Sequence, residues 1–282
     1  MGWLLQHAEV AMLLRAALWL ALATIVFLPL EALFPLRRTK QSRGEILTNL
    51  GWYAISSLLT LPLLALPAAV IASIVAAIIP ASVPHAIGAL PLAARIALAM
   101  VIGEIGFYWG HRWSHQWRWL WRFHAVHHSA ENLTYLVNTR VHPVDMIFTR
   151  LCGLTLLYAV GLAAPTAKDA SLIIAVVLVG GSLWSYFVHA NIRARFGPLE
   201  HVLSTPAFHH WHHSRSDHRD HNYAPMLPVV DRIFGSHYLP RHWPSDYGTD
   251  SAMPKRVIDQ MITPFRANAP GWTVANRDKV VE

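Results

Sequence analysis

Long runs of apolar residues dominate the first two thirds of the chain. Five segments are almost wholly apolar, at residues 11–35, 47–79, 90–109, 146–164 and 170–188. A helix that spans a bilayer needs about 20 such residues, so the pattern predicts an all-α fold, a polytopic transmembrane helical bundle. The second segment is long for one span and contains Pro62 and Pro67. A kinked helix, a tilted helix and a tight hairpin therefore all remain open for it.

Basic residues divide the connections between these segments into two sets. In one set, at residues 1–10, 80–89 and 165–169, Lys168 is the only basic residue. The other set includes the basic C-terminal region together with Arg37, Arg38, Lys40, Arg43, Arg112, Arg118, Arg122 and Arg140. If every segment crosses once, the positive-inside rule places this set in the cytoplasm and the N-terminus outside. We therefore expect a multi-pass protein, of a bacterial inner membrane, with five crossings.

Composition supports the membrane assignment and excludes several classes of protein. Of the 282 residues 54% are hydrophobic and 14% charged, and the mean hydropathy is +0.33, whereas soluble domains contain about 25% charged residues. The net charge of +7 does not indicate nucleic-acid binding, because the basic residues flank apolar spans. A single cysteine, Cys152, excludes an intramolecular disulfide framework and a cysteine metal cage. The first apolar run is too long for a cleavable signal peptide and lacks a small-residue cleavage site.

Eight of the 18 histidines form three short blocks. Residues three and four apart share a face of a helix, so each block is expected to point its imidazoles in one direction. The blocks are an H-x-x-x-H pair, His111 and His115, and two H-x-x-H-H blocks, His124, His127 and His128, then His209, His212 and His213. One zinc ion takes about four ligands, so eight imidazoles predict two metal ions. Imidazole suits iron, copper, nickel and zinc, so ligand type does not identify the metal.

Two other functions remain open from the residues alone. A zinc-dependent integral-membrane hydrolase would use some of these histidines, although the H-E-x-x-H motif of membrane metalloproteases is absent. A metal transporter or sensor is the other alternative. It would place polar residues in the middle of several spans, whereas these histidines lie at the ends of the apolar segments and beyond them.

Residues 95–240 resemble the fatty acid hydroxylase superfamily, which includes the sterol desaturases. The resemblance rests on the three histidine blocks and on several flanking motifs. These motifs are His142-Pro143, Phe187-Val188-His189-Ala190-Asn191, Thr205-Pro206, Asn222-Tyr223 and Asp231-Arg232-Ile233-Phe234-Gly235. The chain departs from the family pattern at Ala224, where glycine is usual, and at Glu104, where aspartate is frequent. Neither departure removes a matching ligand.

This resemblance implies a non-haem di-iron enzyme that uses O2 to hydroxylate or desaturate a C–H bond of a membrane lipid, such as a sterol or a fatty acyl chain, in lipid biosynthesis. It also implies a cytosolic cap of histidine-bearing helices over the bundle. The implied metal ligands are His111, His115, His124, His127, His128, His189, His209, His212 and His213. No haem, flavin or nucleotide motif is present, so a separate electron donor is expected, a ferredoxin or a cytochrome b5-like protein with its reductase.

The chain divides into three predicted regions: a transmembrane anchor at residues 1–90, the catalytic domain at 91–240 and a cytosolic tail at 241–282. Within the catalytic domain, His142 and His221 are possible additional ligands, and His201 and His218 lie near the third block. His210 falls between matching positions and is predicted to face outward.

Acidic residues and tryptophans complete the candidate set. Glu104 lies in a span, where an ionisable residue is costly and a functional role is the default. Glu104 lies seven residues before His111, about two helical turns, and so shares its helix face. We predict that the Glu104 carboxylate accepts the second ring N–H of a ligand histidine and so supports catalysis. Asp145, Asp217 and Asp231 are alternatives for that role. Five tryptophans surround the first block and predict an aromatic belt at the membrane interface or the lining of a lipid cleft: Trp109, Trp113, Trp117, Trp119 and Trp121.

Overall fold

The computed structural model describes residues 8–38, 41–164, 167–215 and 218–266, and these parts of the chain form helices and no strands. The predicted all-α class is therefore confirmed. In chain order the helices are α1 (Ala8–Leu33), α2 (Arg43–Ile78), α3 (Ser82–Gly88), α4 (Leu92–Gln116), α5 (Arg118–His128), α6 (Pro143–Ala159), α7 (Ala170–His189), α8 (Pro206–His212), α9 (Pro228–Ile233) and α10 (Val257–Ile262). Short 3-10 turns lie at Tyr135–Thr139, Gly197–His201 and Thr263–Phe265.

Four of these helices, α1, α2, α4 and α7, are long and apolar enough to cross a membrane. Their outer surfaces remain exposed, as Ile25 of α1 (72%) and Leu66 of α2 (73%) illustrate, which is the pattern of a lipid-facing surface. The fourth apolar segment, at residues 146–164, forms α6 (Pro143–Ala159), which has 17 residues and is not among these four. A crossing by α6 stays a prediction.

The long second apolar segment is one continuous helix, so the hairpin alternative is wrong. It begins at a capping box, in which Ser42 accepts the N–H of Glu45 and the Glu45 side chain accepts that of Ser42. Pro62 and Pro67 both lie inside the helix without ending it. At 1.5 Å per residue, 36 residues extend about 54 Å. This exceeds a hydrocarbon core of about 30 Å, so α2 reaches beyond the bilayer into the histidine-bearing cap.

Helices α4 and α6 approach each other closely through small residues. A Cβ on Gly106 would lie 2.6 Å from the carbonyl oxygen of Cys152, and one on Gly110 would lie 3.0 Å from the Cys152 Cβ. Only glycine permits this backbone separation, as in other helix pairs of membranes. The close contact brings the first turn of α6, with Asp145, beside the end of α4 that carries the first histidine block.

Candidate metal centre

The three histidine blocks and His189 meet at one end of the bundle and form two buried clusters. The five-histidine cluster comprises His111, His115, His124, His128 and His212, and the four-histidine cluster comprises His127, His189, His209 and His213. Within each cluster the potential ligand nitrogens all lie within 4.8 Å of one another. All nine residues predicted as ligands are therefore in these clusters, and each is at most 6% exposed.

Each H-x-x-H-H block divides between the clusters. On α5, His124 and His128 belong to the five-histidine cluster, whereas His127 belongs to the four-histidine cluster. The third block divides in the same way, because its middle member His212 joins the five-histidine cluster. Residues four apart differ by about 40° around a helix axis, but adjacent residues differ by about 100°. The expectation that all three imidazoles of a block point one way is thus wrong, and the division lets each helix serve both clusters.

The ring nitrogens are spaced as ligands of a common ion. In the four-histidine cluster, Nε2 of His189 lies 3.1 Å from Nε2 of each of the other three histidines. In the five-histidine cluster, Nε2 of His124 lies 3.2 Å from that of His111 and 3.1 Å from that of His128. A metal–nitrogen bond of about 2.1 Å places neighbouring ligand atoms about 3.0–3.4 Å apart, from octahedral to tetrahedral coordination. The residues present therefore fit a metal ion in each cluster.

Buried nitrogens without other partners support the same conclusion. Nε2 of His115 and Nε2 of His212 make no hydrogen bond, although both rings are fully buried. A buried polar atom left without a partner costs about 1–3 kcal/mol. These two atoms face the remaining nitrogens of their cluster, so an ion there would satisfy them.

The second ring nitrogen of most of these histidines is held by an oxygen. A proton on Nδ1 leaves Nε2 free to bind a metal and fixes the ring orientation. The pairs are His111 with the Tyr223 carbonyl (2.7 Å), His115 with Asp220 (3.0 Å), His124 with Asp145 (2.9 Å), His212 with the His221 carbonyl (2.9 Å), His127 with the Arg140 carbonyl (3.2 Å) and His189 with the Ser185 carbonyl (2.6 Å).

The electrostatics of the cap favour neutral imidazoles. Burial, and then the neighbouring rings, lower the pKa well below the usual range for His127, His128, His209, His212 and His213. A neutral ring with a free lone pair is the form that binds a metal. The site is therefore prepared for cations at neutral pH.

Asp145 is the carboxylate with the clearest link to a ligand histidine. Its two oxygens accept from Nδ1 of His124 (2.9 Å) and from the Ser114 hydroxyl (2.9 Å), and it is 3% exposed. Burial alone would raise the pKa of Asp145, but His124 and the two hydrogen bonds outweigh it and lower that pKa. Of the four acidic residues considered from the sequence, Asp145 therefore accepts the second ring N–H of a ligand histidine. Asp220, which was not among the four, does the same for His115.

The hydrogen bond predicted from a ligand histidine to Glu104 is wrong. Oε1 of Glu104 accepts the backbone N–H groups of Met226 and Leu227, each at 2.6 Å, instead of a histidine N–H. Asp231 likewise accepts backbone N–H groups, from Tyr223 and Ala224. Both carboxylates therefore hold the loop that carries the carbonyl partner of His111. Asp217 lies outside the described residues.

His142 and His221, the possible additional ligands, lie outside both clusters. The ring of His142 caps α6 by accepting the N–H of Val144, and its Nε2 faces the Met261 carbonyl. His221 contributes through its backbone carbonyl, which accepts from His212. His201 accepts a hydrogen bond from Arg232 at the surface.

Two further histidines near the third block have structural contacts. The ring of His218 stacks on Tyr238 with centroids 3.8 Å apart. His210 is fully buried, where outward exposure was expected. Its ring bonds the Tyr247 hydroxyl (2.8 Å) and the Ala190 carbonyl (3.1 Å). The C-terminal segment containing Tyr247 packs over α8, which the spacing of the block did not reveal.

The five tryptophans around the first block differ in exposure, and Trp109 and Trp113 are half-buried. Trp117 (54%) and Trp119 (60%) are exposed, as expected of an interfacial belt, but Trp121 is buried. The Trp121 ring lies 5.1 Å from that of His115 and 5.5 Å from that of His128. It therefore closes one side of the five-histidine cluster.

Replacement of Asp145 by Asn should lower metal affinity. An amide is uncharged and has one oxygen, so it cannot accept hydrogen bonds from both His124 and Ser114 as the carboxylate does. The loss of such a partner typically weakens metal binding about 10–100-fold. Metal content measured after dialysis against graded chelator tests this. Glu104→Gln is the matched control, since Gln keeps an oxygen for the N–H groups of Met226 and Leu227. The metal affinity of this variant should stay close to wild type. An equal loss in both variants would contradict the assignment to Asp145.

The fold and the site define a helical membrane protein with two buried polyhistidine clusters. The fatty acid hydroxylase family model matches residues 96–236, which include every histidine of both clusters. The chain belongs to the fatty acid hydroxylase family.

Curated relatives of this family show partial similarity to the chain. Ornithine lipid hydroxylase OlsE of Rhizobium tropici is 31% identical over 145 residues, 51% of this chain and 42% of that protein. Alkylglycerol monooxygenase of Xenopus tropicalis is 29% identical over 114 residues, 40% of this chain and 24% of that protein. The human alkylglycerol monooxygenase is 40% identical over 55 residues, 19% and 12% respectively. The chain thus spans less than half the length of each of these relatives. No solved structure shows a significant match to the chain.

Proposed function

We propose that the protein is an oxidoreductase that hydroxylates a C–H bond of a membrane lipid, with O2 as oxidant and two irons as cofactor. The observation that carries this proposal is the pair of adjacent, buried clusters of five and four imidazole nitrogens. Family membership supports it, and so do the names of the relatives, a lipid hydroxylase and alkylglycerol monooxygenases. These names favour hydroxylation over desaturation.

Two metals account for the number and division of the ligands. At about four nitrogens per ion, nine imidazoles supply two ions and no third. When bound, the irons would supply the activation of dioxygen that lets an unreactive C–H bond be oxidised. Neutral imidazoles hold the ions without cancelling their charge. The chain's own contribution is to fix each ring through its Nδ1 partner and to keep the clusters away from bulk water.

The position of the clusters suits a lipid substrate. His111 and His115 end the apolar helix α4, and His189 ends α7. A substrate carbon of a lipid chain in the membrane therefore lies near these helix ends rather than in open solvent. We place this end in the cytoplasm, because the connections at this end contain most of the basic residues. Electrons then come from a separate cytoplasmic donor.

The test of this function measures iron and product together. The full chain, purified anaerobically after expression in iron-rich medium, should contain about two irons per chain. Incubation with membrane lipids, a reducing system and ¹⁸O2 should give a lipid product with one ¹⁸O atom. An unlabelled alkene would indicate desaturation instead. Zinc without iron, with activity independent of O2, would identify a zinc hydrolase and overturn the proposal.

A further inference from the structure

The two N-terminal helices carry polar side chains directed toward the cap. Helices α1 and α2 precede the family match at residues 96–236, and the sequence predicted only a membrane anchor there. Glu31 of α1 is partly buried and Asn49 of α2 is fully buried. Polar groups on membrane helices are costly, so a functional partner is expected for each. Both partners lie beside ligands of the four-histidine cluster.

Asn49 acts through Arg140. Its Oδ1 accepts from Nε (3.1 Å) and Nη2 (2.7 Å) of this arginine, which is 5% exposed. Burial lowers the pKa of Arg140 to about 10, so the guanidinium remains charged at neutral pH. Among the described residues no carboxylate forms an ion pair with it, and Glu45 attracts it only at longer range. The carbonyl of Arg140 accepts the Nδ1 proton of His127 (3.2 Å), so Asn49 holds the residue that orients this ligand.

Glu31 acts on a second ligand of the same cluster. Its Oε1 accepts the backbone N–H of Asn191 (2.9 Å), two residues after His189, and that of Tyr135 (2.8 Å). The first bond fixes the chain where α7 ends, directly after the ligand. The second fixes the 3-10 turn that leads to Arg140. One side chain of α1 therefore connects the segments that place His189 and His127.

The four-histidine cluster depends on such connections because its ligands come from three helices, α5, α7 and α8. The Nε2 atoms of His189 and His127 are 3.1 Å apart. A shift of one helix against another would open this distance. The partners of the five-histidine cluster, Asp145, Asp220 and the Tyr223 carbonyl, have no hydrogen bond to α1 or α2 among the described residues.

We propose that Asn49 and Glu31 are positioning residues that hold His127 and His189 for the metal of the four-histidine cluster. The first two helices are then part of the metal centre and not an anchor alone. This inference rests on the proposed two-metal function.

The experiment compares apolar and conservative replacements in the full-length protein. The pairs are Asn49→Leu with Asn49→Asp, and Glu31→Leu with Glu31→Gln. The conservative variants keep an oxygen acceptor for Arg140 and for the two backbone N–H groups. Fe²⁺ bound per chain is measured anaerobically against graded chelator. The Leu variants should bind one of two equivalents about 10–100-fold more weakly, as losses around metal ligands do, while the conservative variants stay near wild type.

Reference variants identify the affected cluster. His213→Ala removes a ligand of the four-histidine cluster and His115→Ala one of the other cluster. The equivalent of Fe²⁺ that Asn49→Leu binds weakly should be the same one that His213→Ala loses. If Asn49→Leu does not accumulate, Asn49→Ser gives the same comparison with a shorter side chain. Tyr53→Phe is the control, because the Tyr53 hydroxyl bonds residues of α1 and α2, among them the Ala16 carbonyl, and not the segments that carry Arg140 or Asn191. This variant should bind both equivalents normally.

The outcomes separate this inference from the proposed function. Wild-type protein that binds fewer than two equivalents would overturn the two-iron centre and the positioning roles with it. Wild-type protein that binds two, with Asn49→Leu and Glu31→Leu unchanged, would overturn the positioning roles alone. Equal weakening of both equivalents in the Leu variants and in Tyr53→Phe would indicate a general loss of packing and would also overturn them.

Discussion

His212→Ala should reduce product formation to background while the protein still inserts into the membrane. His212 comes from α8, yet its Nε2 lies in the five-histidine cluster with nitrogens from α4 and α5. Its removal takes away one ligand and leaves the others without their shared ion. Residues that act as one unit are non-additive, so the double variant His212→Ala/His128→Ala should lose little beyond either single variant. Product formation in membranes, normalised to the amount of inserted protein, is the measurement.

A surface histidine provides the comparison for this result. His201 is exposed and bonds Arg232, so His201→Ala should retain near-normal activity at normal expression. His210 is unsuitable as a control, since it is buried against Tyr247 and Ala190. Near-normal activity of His212→Ala would mean that the third block is not part of the metal centre, and the shared-site mechanism would be wrong.

Removal of metal should lower the thermal stability of the protein substantially. Without an ion, Nε2 of His111 faces that of His124 at 3.2 Å, and Nε2 of His127 faces that of His189 at 3.1 Å. All four rings direct Nδ1 at an oxygen, so two lone pairs meet at each contact and cannot satisfy each other. A ligand that binds only the folded state, at a thousandfold excess over its Kd, stabilises by about 4 kcal/mol per site. For two sites this predicts a fall in Tm on the order of 10 °C or more on chelation. Thermal unfolding of the detergent-solubilised protein, with and without chelator, measures it.

The control for this measurement is a double variant in which both clusters are impaired. In His115→Ala/His213→Ala each cluster has lost a ligand, so chelator and added Fe²⁺ should change its Tm little. Readdition of Fe²⁺ to the chelated wild-type protein should restore the original Tm. A wild-type Tm that is insensitive to metal removal would show that the clusters contribute nothing to the stability of the fold through bound ions.

Local pattern predicted the long helices and most of the histidines that the structure brings together. Apolar segments of about 20 residues identified four long helices, because a bilayer imposes a minimum length on each span. Histidines three and four apart identified eight of the nine histidines that form the clusters, because that spacing brings side chains together on a helix. His189, which is outside the three blocks, entered through the family resemblance and the cost of a polar group at the end of a span. Apolar length and histidine spacing can both be read along a single segment.

The partners of these ligands were not predictable in the same way. Glu104 has the correct helical phase relative to His111, yet its carboxylate binds a loop more than 120 residues away in the chain. His210 lies between ligand positions, but the C-terminal segment with Tyr247 covers it. Asp220 and Arg140 carried no signal of their own, because neither has a fixed spacing from the histidine that it supports. Such contacts depend on which loop crosses which helix.

By itself, then, the sequence determined that this chain is a helical membrane protein with nine histidines suited to binding metal, since span length and helical spacing are properties of local segments. Only the tertiary structure decided that the histidines form clusters of five and four, because neighbours on one helix differ by about 100° and face different volumes. The tertiary structure also decided that Asp145, and not Glu104, accepts from a ligand histidine. The close contact of α4 with α6 at Gly106 and Gly110 brings Asp145 of α6 to the histidine-bearing end of the bundle, beside His124.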